Sequence, residues 1–216
     1  MTPTIVPLGE SALLVTLGDR VDRETAVQVH AATAVLRAAA MPGVDEIVPA
    51  YTTLAVYFDR ALTLRALLER TITQIVVDVM RTPAAFGGGR LIEVPTRYDG
   101  VDLEEVARST GLDVADVIAR HAERTYTAYV LGFAPGFAYL GDVHPALEIP
   151  RRATPRIRVP AGAVAIAGTK TAVYPAEMPG GWHLIGTTAL VMFDPQRNPP
   201  ALLAAGDEVR FVPVPS

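Results

Sequence analysis

The sequence has no cysteine, a single lysine, a single tryptophan and no long apolar run, and each shortage closes off a class of function. Without cysteine there is no disulfide framework, no thiol nucleophile and no thiolate zinc site. The four histidines, His30, His121, His144 and His183, lie too far apart for paired metal-ligand spacing, so no metal site is expected. Apolar runs such as Ala38–Met41 and Leu131–Ala134 fall far short of the roughly 20 residues a bilayer span needs. The opening residues Met1-Thr2-Pro3-Thr4 carry neither the basic stretch nor the apolar stretch of a secretory signal. A cytoplasmic protein without a membrane partner is the expectation. A net charge of −4 also has the wrong sign for binding a phosphate backbone, so nucleic acid is not an expected partner.

What remains is a chain of 216 residues, 50% hydrophobic and 19% charged, enough to bury one core or two small ones. Its texture changes near residues 83–90. Before that point the apolar spacing predicts strands at Ser11–Leu17, Val44–Ala50 and Thr53–Phe58. It also predicts helices from Asp22 to about Met41 and from Thr63 to about Arg81, the second ended by Thr82-Pro83. Adding a strand at Arg90–Tyr98 gives the order β-α-β-β-α-β, which suggests a ferredoxin-like α+β unit over residues 1–89, with Gly87-Gly88-Gly89 as a hinge or turn. Residues 90–216 then begin with a helical connector at about 102–124, where Asp102-Leu103-Glu104-Glu105 resembles a capping box and Gly111 a stop. His121 falls among apolar residues at helical spacing and reads as a packed or half-exposed helix histidine. From Tyr126 onward, short apolar runs alternate with turns; ten of the 18 prolines and nine of the 17 glycines lie between residues 132 and 206. Runs at Thr127–Leu131, Val164–Ala167, Thr171–Tyr174, Trp182–Ile185, Leu190–Phe193 and Val209–Val212 predict a closed or nearly closed β-barrel.

Charge is unevenly placed. Between Ile149 and Phe193 stand Arg151, Arg152, Arg156, Arg158 and Lys170 against Glu177 alone, a balance of +4 inside a chain of net −4. Such a loop suits a small carboxylate, a phosphate or an acidic partner surface, since arginine pairs bidentately with either group. Three segments accompany it. Leu131–Leu140 sets Phe133, Phe137 and Tyr139 on a glycine-proline frame that includes Gly136. Pro150–Gly162 holds four arginines between prolines, which lowers the entropy lost on binding. Pro179–Thr188 brings Gly181, the single Trp182 and His183. His183 is either an acid–base group, since histidine is the side chain suited to proton transfer near neutral pH, or a structural histidine bonded to a neighbouring strand. On the anion reading, replacing Arg156 with Ala strongly lowers activity and leaves thermal stability within about 1 kcal/mol. The residues alone lead to an α+β unit, a barrel, and a site for a small anion or a partner.

In order, Gly132–Leu140, Pro150–Arg156, Val159–Gly168 and Pro179–Gly186, followed by Ala205–Phe211, resemble the allophanate hydrolase subunit 1 / KipI family, most strongly from Ile92 onward. The resemblance implies an N-terminal α/β domain and a C-terminal cyclophilin-like barrel. It implies one component of a hydrolase, inactive alone, that works with a homologous C-type component and with an A-type component. In that family an ATP-dependent 5-oxoprolinase complex opens 5-oxo-L-proline to L-glutamate, with ATP and its Mg bound either mainly by a partner or also by this chain. Alternatives within the family are a regulatory protein that docks on a histidine kinase and a component of an allophanate- or urea-type amide hydrolase. Carried onto this chain, the expected catalytic residues are His183 and Lys170. The expected substrate- or phosphate-binding residues are Arg151, Arg152, Arg156, Arg158, Phe133, Gly136, Tyr139, Gly168 and Gly181. Thr96–Leu103 is shorter than the family's segment and lacks its Cys-Tyr-Gly-Gly.

Overall fold

The computed structural model describes residues 3–81 and 89–215. The chain forms two compact units, residues 1–87 and 88–216. The hinge or turn expected at Gly87-Gly88-Gly89 and the stop at Thr82-Pro83 fall largely outside the described residues.

In the first unit β1 (Thr4–Pro7), β2 (Ala12–Thr16), α1 (Arg23–Ala38), β3 (Val44–Pro49), β4 (Thr53–Phe58) and α2 (Arg65–Arg81) follow one another. The strands form an antiparallel sheet in the order β1-β2-β4-β3. Asp22 caps α1, its carboxylate accepting the Thr25 amide at 2.8 Å. Val29, Ala32 and Leu36 of α1 and Leu68, Ile72 and Val76 of α2 bury against Leu13, Val15, Leu54, Val56 and Phe58 of the sheet. Each fully buried aliphatic side chain there contributes about 1.5–3 kcal/mol. The order is therefore β-β-α-β-β-α, which corrects the ferredoxin-like reading. β1 escaped detection because it is short and ends in proline; as an edge strand it loses no ladder bond to the missing N–H. The strand expected at Arg90–Tyr98 belongs to the second unit.

That unit contains β5 (Leu91–Thr96), α3 (Leu103–Thr110), α4 (Val114–Ala122), β6 (Thr125–Leu131), β7 (Ala138–Gly141) and a 3-10 turn at Pro145–Leu147. β8 (Arg156–Val159), β9 (Ala163–Ala167), β10 (Lys170–Val173), β11 (Met178–Gly180), β12 (His183–Thr187) and β13 (Glu208–Pro213) complete it. Seven strands run β12-β9-β10-β7-β6-β13-β5, with β5 parallel to β13 and every other pair antiparallel. Where β5 ends, the sheet meets the last residue of β12: Arg97 and Thr187 exchange N–H···O bonds of 2.9 and 2.7 Å, so the barrel is nearly closed. A two-stranded ribbon, β8-β11, stands apart from the seven. The run Leu190–Phe193, expected as a strand, contributes only an isolated bridge from Phe193 to Ala201.

The barrel interior is filled by Tyr126, Leu140, Val164, Ile166, Val173, Ile185, Val209 and Phe211. His121 is packed within it, fully buried. Its Nε2 donates to the Thr171 hydroxyl at 2.9 Å, because that hydroxyl's own proton goes to the Ala165 carbonyl at 3.0 Å. Its Nδ1 then accepts the Tyr98 hydroxyl at 2.8 Å. Burial pushes the imidazole pKa down to about 3, so it is neutral at physiological pH. Among the described residues no helix is long and apolar enough to cross a membrane.

Candidate functional site

The site is built on the outside of the barrel sheet. Along β9, Val164 and Ile166 point inward while Ala163, Ala165 and Ala167 face out; on β10, Val173 points inward and Ala172 out. The outward alanines are buried too, under Phe137, Tyr174, Trp182 and Leu184, with Val159 of the β8-β11 ribbon. Small floor residues leave room for large rings to pack over the strands. Phe137 is the hub: its ring centre lies 5.3 Å from Phe133, 5.0 Å from Tyr139, 5.5 Å from Tyr174 and 5.8 Å from Trp182, all edge-to-face. Gly136, at φ +81°, lets the turn before Phe137 pack against the Met192-Phe193 segment, since a Cβ there would come within 2.7 Å of the Phe193 Cβ. Phe133 also has a positive φ, +71°, and is 66% exposed, an aromatic presented to solvent at the edge of the cluster.

The three segments singled out in the sequence converge here. The Arg152 amide donates to the Gly181 carbonyl at 2.8 Å, and Gly181 lies against Pro155. β8 and β11 pair through Met178 with Val159 and Gly180 with Arg156. Gly168, φ +56°, turns β9 into β10, and its amide donates to the Ile149 carbonyl at 2.6 Å.

The charged residues separate into distinct environments. Arg152 and Arg156 turn inward onto Asp102, which is 2% exposed: Nη1 of Arg152 lies 3.0 Å and Nη2 of Arg156 2.6 Å from Oδ1. Oδ2 of Asp102 accepts the Leu184 amide at 2.7 Å. Burial alone would raise the pKa of this carboxyl. The hydrogen bonds from Arg156 and Leu184 and the two positive charges outweigh it, so the group titrates below its ordinary range. Asp102 stands at the N-cap of α3 yet makes no side-chain cap bond. Its carboxylate instead ties the helix start, the arginine loop and β12 together, while Glu105 pairs with Arg152 at 3.1 Å. Arg152 and Arg156 are thus committed to a carboxylate of their own chain. Arg158, 79% exposed, pairs loosely with Glu177 at 3.6 Å. Arg151 is exposed, and its charge, like that of Arg156, opposes the upward shift that burial imposes on the Tyr174 hydroxyl.

His183 is 5% exposed, and its Nε2 donates to the Pro150 carbonyl at 2.9 Å. Its mobile proton therefore straps the arginine loop to β12, and of the two readings the geometry favours the structural one. Lys170 pairs with Asp142, and its ammonium lies 4.8 Å from the centre of the Tyr129 ring. Sequence reading missed Asp102, Asp142 and Tyr129. Asp102 carried a signal of the wrong kind, a helix cap, and the other two carried none. Two open clefts of about 620 and 510 Å³ lie in the first unit, and none of the residues singled out in the sequence lines either.

The comparisons agree with this architecture. The family described as carboxyltransferase domain, subdomain C and D, matches residues 3–203. The chain is 40% identical to a protein named as the B-type component of 5-oxoprolinase from Bacillus subtilis, across 96% of this chain and 91% of that one. The crystal structure of TTHA0988 superposes with a TM-score of 0.84 at 40% identity over 95% of this chain, which spans only 40% of that longer chain. The urea amidolyase of K. lactis shares the fold, with a TM-score of 0.76 at 17% identity over 98% of this chain and 15% of that one. The chain belongs to the carboxyltransferase domain, subdomain C and D family, among the relatives of the B-type components of 5-oxoprolinase.

Proposed function

We propose that this chain is the B-type component of a cytoplasmic ATP-dependent 5-oxoprolinase, inert alone and working with a homologous C-type component and an A-type component to open 5-oxo-L-proline to L-glutamate. The observation that carries the reading is the 40% identity, across nearly the full length of both chains, to a protein named for that role. The 40% share of TTHA0988 supports a module that works joined to further protein.

A lactam is a poor electrophile, and transfer of a phosphoryl group to its amide oxygen makes the ring carbon attackable. What this chain offers is a rigid outer face on which a small anionic ring can rest. The aromatic wall flanks the ring and Arg151 meets its carboxylate. Arg152 and Arg156 hold the loop in shape through Asp102. ATP and Mg enter as the complex's second substrate. Among the described residues no group of three or more His, Cys, Asp or Glu could hold a metal ion, and no Mg ligand is named in this chain.

The test is reconstitution. Mixed with its C-type and A-type partners, the chain should support ATP-dependent release of glutamate, and none should appear from the chain alone. No release with well-folded partners contradicts the reading.

A further inference from the structure

We propose that Lys170 and Asp142 form a two-point receptor for the cis-amide edge of a lactam, an inference that rests on the substrate class just proposed. An amide inside a small ring is held cis, so its C=O and N–H lie side by side on one edge. An open-chain secondary amide is trans and presents them on opposite edges. A protein that reads the cis edge needs a donor placed directly beside an acceptor.

The structure places one there. The Lys170 ammonium is hydrogen-bonded to Oδ1 of Asp142. Oδ2 of Asp142 accepts the Tyr129 hydroxyl at 3.1 Å, and the face of the same tyrosine lies under the ammonium. Tyr129 thus fixes both members from behind, by a hydrogen bond to one and a cation–π contact to the other. Gly141 permits the arrangement: a Cβ there would lie 2.9 Å from Cδ and Nζ of Lys170 and would collide with the Tyr129 ring. Lys170 pairs across the sheet with Gly141 and shares the outward side of β10 with Ala172. The side chains of Lys170 and Asp142 are 14% and 39% exposed, so the pair is rooted in protein and open at one edge. The bridge from Ile149 to Gly168 brings the backbone leading to Arg151 to this end of the sheet.

In the bound arrangement the lactam oxygen accepts from the ammonium, and the lactam N–H donates to an Asp142 oxygen. Lys170 and Asp142 determine specificity; Tyr129 and Gly141 are positioning residues. No bond is made or broken by this step.

The assembled complex is assayed with 5-oxo-L-proline against its N-methyl analogue, which keeps the C=O and lacks the N–H. The intact complex should favour the parent by about tenfold or more in KM or Ki, the scale of one lost hydrogen bond to a charged group. Asp142→Ala and the milder Asp142→Asn should raise KM for the parent and shrink the preference to within about threefold. Lys170→Met should weaken both compounds alike and keep the preference. An N-methyl analogue as good as the parent, or a preference untouched in folded Asp142 variants, overturns the proposal. A second readout needs no turnover: in the full chain alone, the backbone amide resonances of Gly141, Asp142 and Lys170 should move with 2-pyrrolidone and move far less at the same concentration of 1-methyl-2-pyrrolidone. Failure of the first lactam to move them also overturns the receptor. If they move while the complex releases no glutamate, the receptor stands and the 5-oxoprolinase reading falls.

Discussion

Strand β9 reads Ala163-Val164-Ala165-Ile166-Ala167, and its two sides meet different worlds. The inward Val164 and Ile166 interlock with other aliphatic side chains and a neutral histidine to fill the barrel. The outward alanines bear a layer of aromatic rings edged by Arg151, Lys170 and Asp142. Both sides are buried, so exposure alone does not tell them apart. What does is side-chain size: the interior is packed with bulk, whereas the outer side keeps its strands low so that the loops can pack against them. On the proposed function, the interior holds the fold and the outer side receives the substrate.

Paired substitutions on one strand break or sharpen this contrast, beginning with the largest effect. Ile166→Ala should cost about 3–4 kcal/mol in urea unfolding, as deletions in a well-packed core do, with KM of the assembled complex little changed. Ala165→Leu, next to it and facing out, should cost less, about 1–3 kcal/mol, yet raise KM because it lifts the aromatic layer. Equal loss of stability and equal KM effects from both would erase the distinction.

Next comes the arginine loop. Asp102→Ala leaves two guanidinium groups without their carboxylate and should cost about 3 kcal/mol, the low end for such a pair because a quarter of each arginine side chain stays exposed. Arg156→Ala should cost about 2 kcal/mol, more than the sequence alone led one to expect, because Arg156 is a structural partner of Asp102. Urea midpoints of the two variants check both values.

The interior also carries a pH signature. The His121 pKa of about 3 in the folded chain lies below its ordinary 6.5, so the unfolded chain binds the extra proton first. Stability contributed by the neutral imidazole is therefore complete above about pH 6.5. It falls by about 1.4 kcal/mol per pH unit as the pH drops toward 3. His121→Gln should flatten that slope in acid titrations followed by circular dichroism. A slope unchanged in the variant would assign acid lability elsewhere.

The smallest stability effects belong to the rim. Arg151→Ala and Phe133→Gly should each stay within about 0.5–1 kcal/mol of the parent in thermal unfolding, the glycine gaining from relief of the positive φ what it loses in ring contact. Both should still lower the activity of the complex.

How much of this was legible in the chain depends on distance along it. Asp22 and Gly111 announced helix ends within a few residues: Asp22 accepts the Thr25 amide at 2.8 Å, and Gly111 adopts φ +70°. The alternation of β4 and the apolar run of β9 were equally readable. The partner of β5 was not, because β13 lies more than 110 residues later, and a parallel pairing across that gap leaves no local mark. The composition marked the three glycine-, proline- and arginine-rich segments as companions, but their common place on the outer side of the sheet left no mark in the sequence. The charge count located the cationic loop but could not see that Asp102, some 50 residues earlier, pairs with two of its four arginines.

The single tryptophan supplies the most direct test, since Trp182 sits in the outer aromatic layer. The chain is labelled with 5-fluorotryptophan, assembled with its unlabelled partners, and its lone 19F resonance is followed as 5-oxo-L-proline is added. If the outer side of the barrel receives the substrate, that resonance shifts in a saturable way at the concentration that half-saturates turnover. A resonance that stays fixed while turnover saturates would place substrate binding elsewhere and contradict the account.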